Sequence, residues 1–236
     1  MKTAKRFAML AGLALALMAV PSFAGETAKA APESDFEFRL SKDGTFIAIT
    51  GYKGNTKNLV IPETIQGLPV EVINGFEGNM KIKSVVIPSS VKVIVDSAFY
   101  ECTSLEKVTL SEGLLHIGRG AFSSTGLTSV TLPKSIEILF NAFTDCDNLA
   151  EINIPDDAAF LFKNSEAAVF FLEKGYTEDM IADYGESIFS GSKINRSVAL
   201  QKKLREIKLI SGSRALDYYF KAKEIYKKYE IYFPYL

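Results

Sequence analysis

Short alternating apolar triplets and a recurring aromatic organise the chain between residues 59 and 155. Ile82-Lys83-Ser84-Val85-Val86-Ile87-Pro88 aligns with Leu105-Glu106-Lys107-Val108-Thr109-Leu110-Ser111, Leu127-Thr128-Ser129-Val130-Thr131-Leu132-Pro133 and Leu149-Ala150-Glu151-Ile152-Asn153-Ile154-Pro155. The frame is apolar-x-x-apolar-x-apolar-Pro, repeated every 22 or 23 residues, with Leu59-Val60-Ile61-Pro62 as a degenerate first copy. A second column runs through Gly75-Phe76, Ala98-Phe99, Ala121-Phe122 and Ala142-Phe143, and Cys102, Thr125 and Cys146 each stand three residues after their Phe.

A unit of this length offers one short strand, a turn and a return, and it cannot bury its own apolar face. Stacked copies can, so the pattern predicts a solenoid. In Val108-Thr109-Leu110 and Val130-Thr131-Leu132 the alternation turns the outer two residues inward and the middle one outward. Pro after each strand ends it, because Pro donates nothing to a ladder. Ahead of the repeats, Asp43-Gly44 lies between Phe36–Leu40 and Thr45–Ile49, a hairpin signal suited to covering the open end of the first coil. From about Phe160 the pattern turns helical. Ser165–Lys174 predicts a short helix that could cover the last coil, another starts at Thr177, and Val198–Ile210 and Ser213–Glu230 predict two basic helices joined at Ser211-Gly212-Ser213. The predicted organisation is a leader over 1–24, a linker and β-hairpin cap over 25–58, the solenoid over 59–159, capping helices over 160–192 and a basic, Tyr-rich helical tail over 193–236.

The frame Ile94-x-x-x-Ala98-Phe99-x-x-Cys102-x-x-Leu105-x-x-Val108-x-Leu110 and its neighbours resemble the BspA-type bacterial leucine-rich repeat, with departures at Ser111 for Pro, at Thr125 for Cys and in the shortened coil before Phe143. The resemblance implies a β-rich solenoid of short parallel strands with an N-terminal hairpin cap and a C-terminal α-helical appendage. It also implies an exported or surface protein that binds host, matrix or envelope proteins or mediates cell contact. Enzymatic activity is not implied.

Charge and composition narrow this further. The 236 residues carry 27 Lys+Arg against 28 Asp+Glu, which argues against a wholesale nucleic-acid binder. One His and two Cys leave little for a His/Cys metal cage, and no cofactor is implied. The balance is a cancellation: residues 25–192 hold 13 basic and 24 acidic residues, whereas 193–228 hold 11 basic and 3 acidic. At the start, Lys2, Lys5 and Arg6, the apolar run Phe7–Val20 and Pro21-Ser22-Phe23-Ala24 form a secretory leader with cleavage after Ala24. Export to the periplasm, the cell surface or the medium is expected, and no Cys follows the apolar run to make a lipoprotein.

Candidate chemistry is sparse. Coils stack about 4.8 Å apart, so Cys102 and Cys146, two coils apart in one column, should lie ~10 Å apart, beyond the roughly 7 Å reach of a disulfide. Two free buried thiols are expected. His116 aligns with Lys92 or Val93 and with Glu137 or Ile138, and its variable column predicts a solvated position without a catalytic triad. The acidic pairs around Asp145-Cys146-Asp147 and Asp156-Asp157 lack the Gly and terminal Glu of a calcium loop. Ligand-binding candidates are the outward strand positions, Ser84, Lys107, Ser129 and Glu151 in one column and Val86, Thr109, Thr131 and Asn153 in the next, with Asn58 and Val60 continuing them. A stabilising sheet surface competes with this reading. In the tail, Lys221, Lys223, Tyr226, Lys227, Lys228 and Tyr229 could meet an acidic partner or an anionic membrane surface. The alternative packs Leu216, Phe220 and Tyr229 on the solenoid or the preceding helix and leaves the lysines in water. Rival functions are an envelope enzyme with chemistry in 160–236, a segment without His or Cys, and a purely structural envelope component.

Overall fold

The computed structural model describes residues 29–139, 141–156, 161–162, 192, 202 and 224–229. The predicted leader and most of the predicted C-terminal helices lie outside the described residues.

Two sheets, parallel from coil to coil, wind around one core. A single 3-10 turn, Glu33–Asp35, leads into β1 (Phe36–Leu40), which pairs antiparallel with β2 (Ile47–Tyr52). There follow β3 (Asn58–Val60), β4 (Thr64–Ile65), β5 (Leu68–Ile73), β6 (Ser84–Ile87), β7 (Val93–Ile94), β8 (Lys107–Leu110), β9 (His116–Ile117), β10 (Ser129–Thr131), β11 (Ile138–Leu139), β12 (Glu151–Asn153) and β13 (Leu161–Phe162). The longer repeat strands form a five-stranded sheet in the order β12-β10-β8-β6-β3. The two-residue strands join the cap in a second sheet, β1-β2-β5-β7-β9-β11-β13, with β4 beside β5. The predicted hairpin is thus present, and β2 continues into the solenoid by running parallel to β5.

The second sheet was not resolved by the repeat frame, which left the return limb as extended or a single turn. A further hairpin was also missed. Gln66 and Gly67 both hold positive φ, 52° and 78°, the two-residue turn that lets a chain double back between β4 and β5.

The core follows the repeat columns. Phe76, Phe99, Phe122 and Phe143 are fully or almost fully buried and stack in series, with ring centroids 4.8, 5.2 and 5.4 Å apart. Tyr52 and Phe36 extend the stack into the cap at 5.7 and 5.2 Å. Cys102 and Cys146 are free and buried. Each thiol reaches back one coil, to the carbonyls of Phe76 at 3.0 Å and Phe122 at 3.1 Å. Burial pushes the Cys102 thiol up to about 11, so it remains an inert donor.

Both residue substitutions in the repeat frame use a hydroxyl. Thr125 donates to the Phe122 carbonyl at 2.8 Å, and Ser111 donates to the Ile87 carbonyl of the preceding coil at 2.7 Å. Carboxylates at the turns also join coils. Glu63 accepts the Ser90 and Ser89 backbone N–H groups at 2.9 and 3.3 Å, and Glu112 accepts those of Lys134 and Ser135 at 3.1 and 3.2 Å. Burial pushes the Glu63 carboxyl up, but the bonds from Ser90 and Ser89 outweigh this and hold it below its ordinary value.

Candidate functional site

The outward positions of the five-stranded sheet form two straight columns. Register places Asn58, Ser84, Lys107, Ser129 and Glu151 side by side, and likewise Val60 with Val86, Val86 with Thr109, and Thr131 with Asn153. All eight expected ligand-binding residues share this face. Lys107, Thr109, Ser129, Thr131, Glu151 and Asn153 are exposed, while Ser84 and Val86 are half-buried. The Ser84 hydroxyl donates to Asn58 Oδ1 at 2.9 Å, and Lys83 pairs with Glu106 at 3.5 Å along the rim. Charge is graded along the face, from Lys57, Lys83 and Lys107 toward Glu151. Short hydroxyls and β-branched groups dominate between those ends, so the surface is flat and able to exchange hydrogen bonds with a partner.

The outer face of the second sheet is different. Ala48, Val72, Val93 and His116 are neighbours in register and all four are buried. The helical segment 224–229 seals this stripe: Ile225, Tyr226 and Tyr229, at the i, i+1, i+4 spacing of one helix face, pack against Phe46, Ala48, Val72 and Val93. Tyr229 lies 5.5 Å from the Phe46 ring, and Tyr226 meets the His116 ring edge-on at 5.3 Å. Lys228 approaches Glu71 at 3.6 Å and donates to the Tyr229 hydroxyl at 3.0 Å.

This arrangement corrects the expectation for His116. The residue is fully buried, aligned with Val93 and Ile138, and burial pushes its imidazole down to about 3. It is therefore neutral at ordinary pH. The docking also changes the picture of the tail. Tyr226 and Tyr229 turn their rings to the solenoid and offer them to no outside partner while the helix is seated, whereas Lys227 and Lys228 are exposed. Lys221 and Lys223 lie outside the described residues. Phe46, Ala48, Val72 and Val93 were missed as a docking stripe. Their signal was present: two consecutive apolar residues in Val93-Ile94 mean a strand covered on both faces. Ser192 is buried too, accepting the Cys146 N–H at 3.0 Å and donating to the Phe143 carbonyl at 2.8 Å. Among the described residues no His, Cys, Asp and Glu group is arranged to hold a metal ion, and no helix is long and apolar enough to cross a membrane.

A family model for the BspA-type leucine-rich repeat region matches residues 72–195 with six copies. The chain belongs to the BspA-type leucine-rich repeat family. Membership brings the coarse functional class of a protein-interaction scaffold. Among solved structures, a Treponema pallidum leucine-rich repeat protein is 24% identical, the alignment covering 69% of this chain and 100% of that one, with a TM-score of 0.43. A leucine-rich repeat protein from Bacteroides capillosus is 27% identical over 51% of this chain and 94% of that one, with a TM-score of 0.44. The pneumococcal vaccine antigen PcpA is 19% identical over 56% of this chain and 39% of that one, with a TM-score of 0.45. No curated protein matches the chain. Within the BspA-type frame, the Phe ladder and the Cys/Thr column build the scaffold, and the two outward columns form a face that no described segment crosses.

Proposed function

We infer that the protein is an exported protein-interaction module of the bacterial cell envelope or surface, without catalysis of its own, whose five-stranded face receives a host, matrix or envelope protein. One observation carries the reading. Of the two outer sheet faces, that of the second sheet is filled by the chain's own helical segment, while Ser84, Val86, Lys107, Thr109, Ser129, Thr131, Glu151 and Asn153 line the other in two columns with no described segment across it. A polar, flat, graded surface of this kind suits a partner that hydrogen-bonds along the columns. The leader sequence supports export and cleavage after Ala24. The absence of His and Cys from 160–236 weighs against an enzyme in that segment.

The test is capture from envelope and matrix extracts by the purified protein, compared with a Thr109→Arg/Thr131→Arg variant. Both positions are exposed, so the variant should keep its thermal midpoint and lose the captured species. Capture undiminished by the two arginines would overturn the assignment of this face. Capture of nothing by either protein would favour the purely structural component.

A further inference from the structure

Among the described residues β1 is the outermost strand of its sheet, paired with β2 on one side only. The pairing determines which of its peptide groups remain outward. Lys53 N–H donates to the Asp35 carbonyl at 2.7 Å and Ser41 N–H donates to the Phe46 carbonyl at 3.0 Å. Asp35, Glu37, Arg39 and Ser41 therefore turn their peptide groups to β2. The one-residue register shift between Glu37 and Phe38 leaves Thr50 of β2 unpaired and does not alter this phase. Phe36, Phe38 and Leu40 turn theirs to the edge. The Phe36 N–H is taken by the Glu33 carbonyl, which leaves the Phe36 carbonyl and both groups of Phe38 and Leu40.

Edge strands are ordinarily blunted by Pro, by charged side chains and Lys above all, by bulges or by a covering segment. β1 contains neither Pro nor Lys, its two charges Glu37 and Arg39 are of opposite sign, and the extra residue of the register shift, Thr50, lies on β2. At its end stands Leu40, 52% exposed, which with Met80 is one of two large apolar side chains so exposed among the described residues. The strand is also complementary to its own reverse. Laid antiparallel on itself, Phe36-Glu37-Phe38-Arg39-Leu40 sets Phe36 opposite Leu40, Glu37 opposite Arg39 and Phe38 opposite Phe38.

We propose that β1 is an association edge at which two copies of this chain pair antiparallel about a two-fold axis through Phe38. Phe38 then donates its N–H to the Phe38 carbonyl of the second copy, and Leu40 donates its N–H to the Phe36 carbonyl, each bond occurring twice by symmetry. The outward peptide groups derived from the β1–β2 phase are the ones this register needs. Glu37 and Arg39 fall at the sites between hydrogen-bonded pairs, where opposed side chains come closest, so the two-fold creates two Glu–Arg pairs. Lys53, 3.0 Å from Glu37, lengthens each into a three-charge chain. On the other side of the strand the exposed Leu40 lies opposite Phe36 of the second copy. The contact is isologous, so it closes at two copies and does not propagate.

Sedimentation of the purified protein across a concentration series at low salt tests this. A monomer–dimer equilibrium is expected. Arg39→Glu should weaken it about tenfold or more, because both pairs become like-charged, and Glu37→Arg should do the same. The exchanged double variant Glu37→Arg/Arg39→Glu should restore it, with thermal midpoints reporting that each variant is folded. A Glu37→Cys/Arg39→Cys variant should give a covalent dimer on mild oxidation, since Cys102 and Cys146 are buried. A protein that stays monomeric at millimolar concentration overturns the proposal. So does association that ignores Arg39→Glu or is not restored by the exchange. Association that ignores Arg39→Glu but is lost on substituting Ile225 and Tyr229 would overturn it too, because the contact would then lie at the tail helix.

Discussion

The same repeat presents two outer faces, and they have opposite fates. On the five-stranded sheet the outward residue lies between two inward ones, and Thr109, Ser129 and Thr131 remain in water. On the second sheet the outward positions Val72, Val93 and His116 are as deeply buried as the inward Ile73, Ile94 and Ile117, because a helical segment from the far end of the chain lies across them. Among the described residues, then, one outer face is closed and the other is not. The tail segment saturates the apolar side, while no described segment crosses the polar one.

The largest effect should come from the element that serves both faces. Phe122→Ala removes a ring stacked between Phe99 and Phe143 and should cost about 3–5 kcal/mol in denaturant unfolding, loosening both sheets together. A matched pair of substitutions then separates the faces. Val93→Lys places an ammonium under Tyr226 and Tyr229 and should cost about 2–3 kcal/mol, limited because the helix can lift away. Thr109→Lys, outward on the open sheet, should change stability by less than about 0.5 kcal/mol. Equal costs would show that the two faces are equally open or equally closed.

Acid should distinguish them as well. His116 is held neutral by burial, with a folded value of about 3 against an ordinary 6.5, so between those values the unfolded chain binds a proton that the folded one refuses. Its contribution is complete above about pH 6.5 and is lost as pH falls toward 3. Thermal midpoints at pH 7 and pH 4 should reveal a loss of about 1–3 kcal/mol that a His116→Phe variant lacks, with the carboxylates titrating equally in both proteins. Retention of the acid loss in His116→Phe would assign it to those carboxylates, Glu63 included. The smallest effect is expected at the rim of the closed face. Lys228→Met should cost less than about 1 kcal/mol, a cost that fades with added salt, because the Lys228 side chain is 60% exposed where it approaches Glu71.

Much of the solenoid is legible in the sequence, for a physical reason that the columns make plain. Residues such as Phe99, Cys102 and Val108 are buried by their nearest copies, one period away, so their environment is encoded in a window of fewer than 50 residues. The hairpin at Asp43-Gly44 was legible on the same grounds, since a turn is a local object. The open-face columns could be listed from alternation alone, and the register bears out their adjacency.

His116 is where that reasoning failed. Its neighbours in the alignment differ in character, which suggests water, but the choice between Val93 and Lys92 as its partner depends on one residue of register. The sequence by itself determined the period, the inward columns and the polar character of one face, because these follow from repetition and alternation within adjacent coils. Only the tertiary structure decided that the outer stripe of the second sheet is dry, that Tyr226 and Tyr229 face inward, and that the lone histidine is neutral. Those outcomes rest on a contact between segments more than a hundred residues apart, and no local pattern contains the geometry of such a contact.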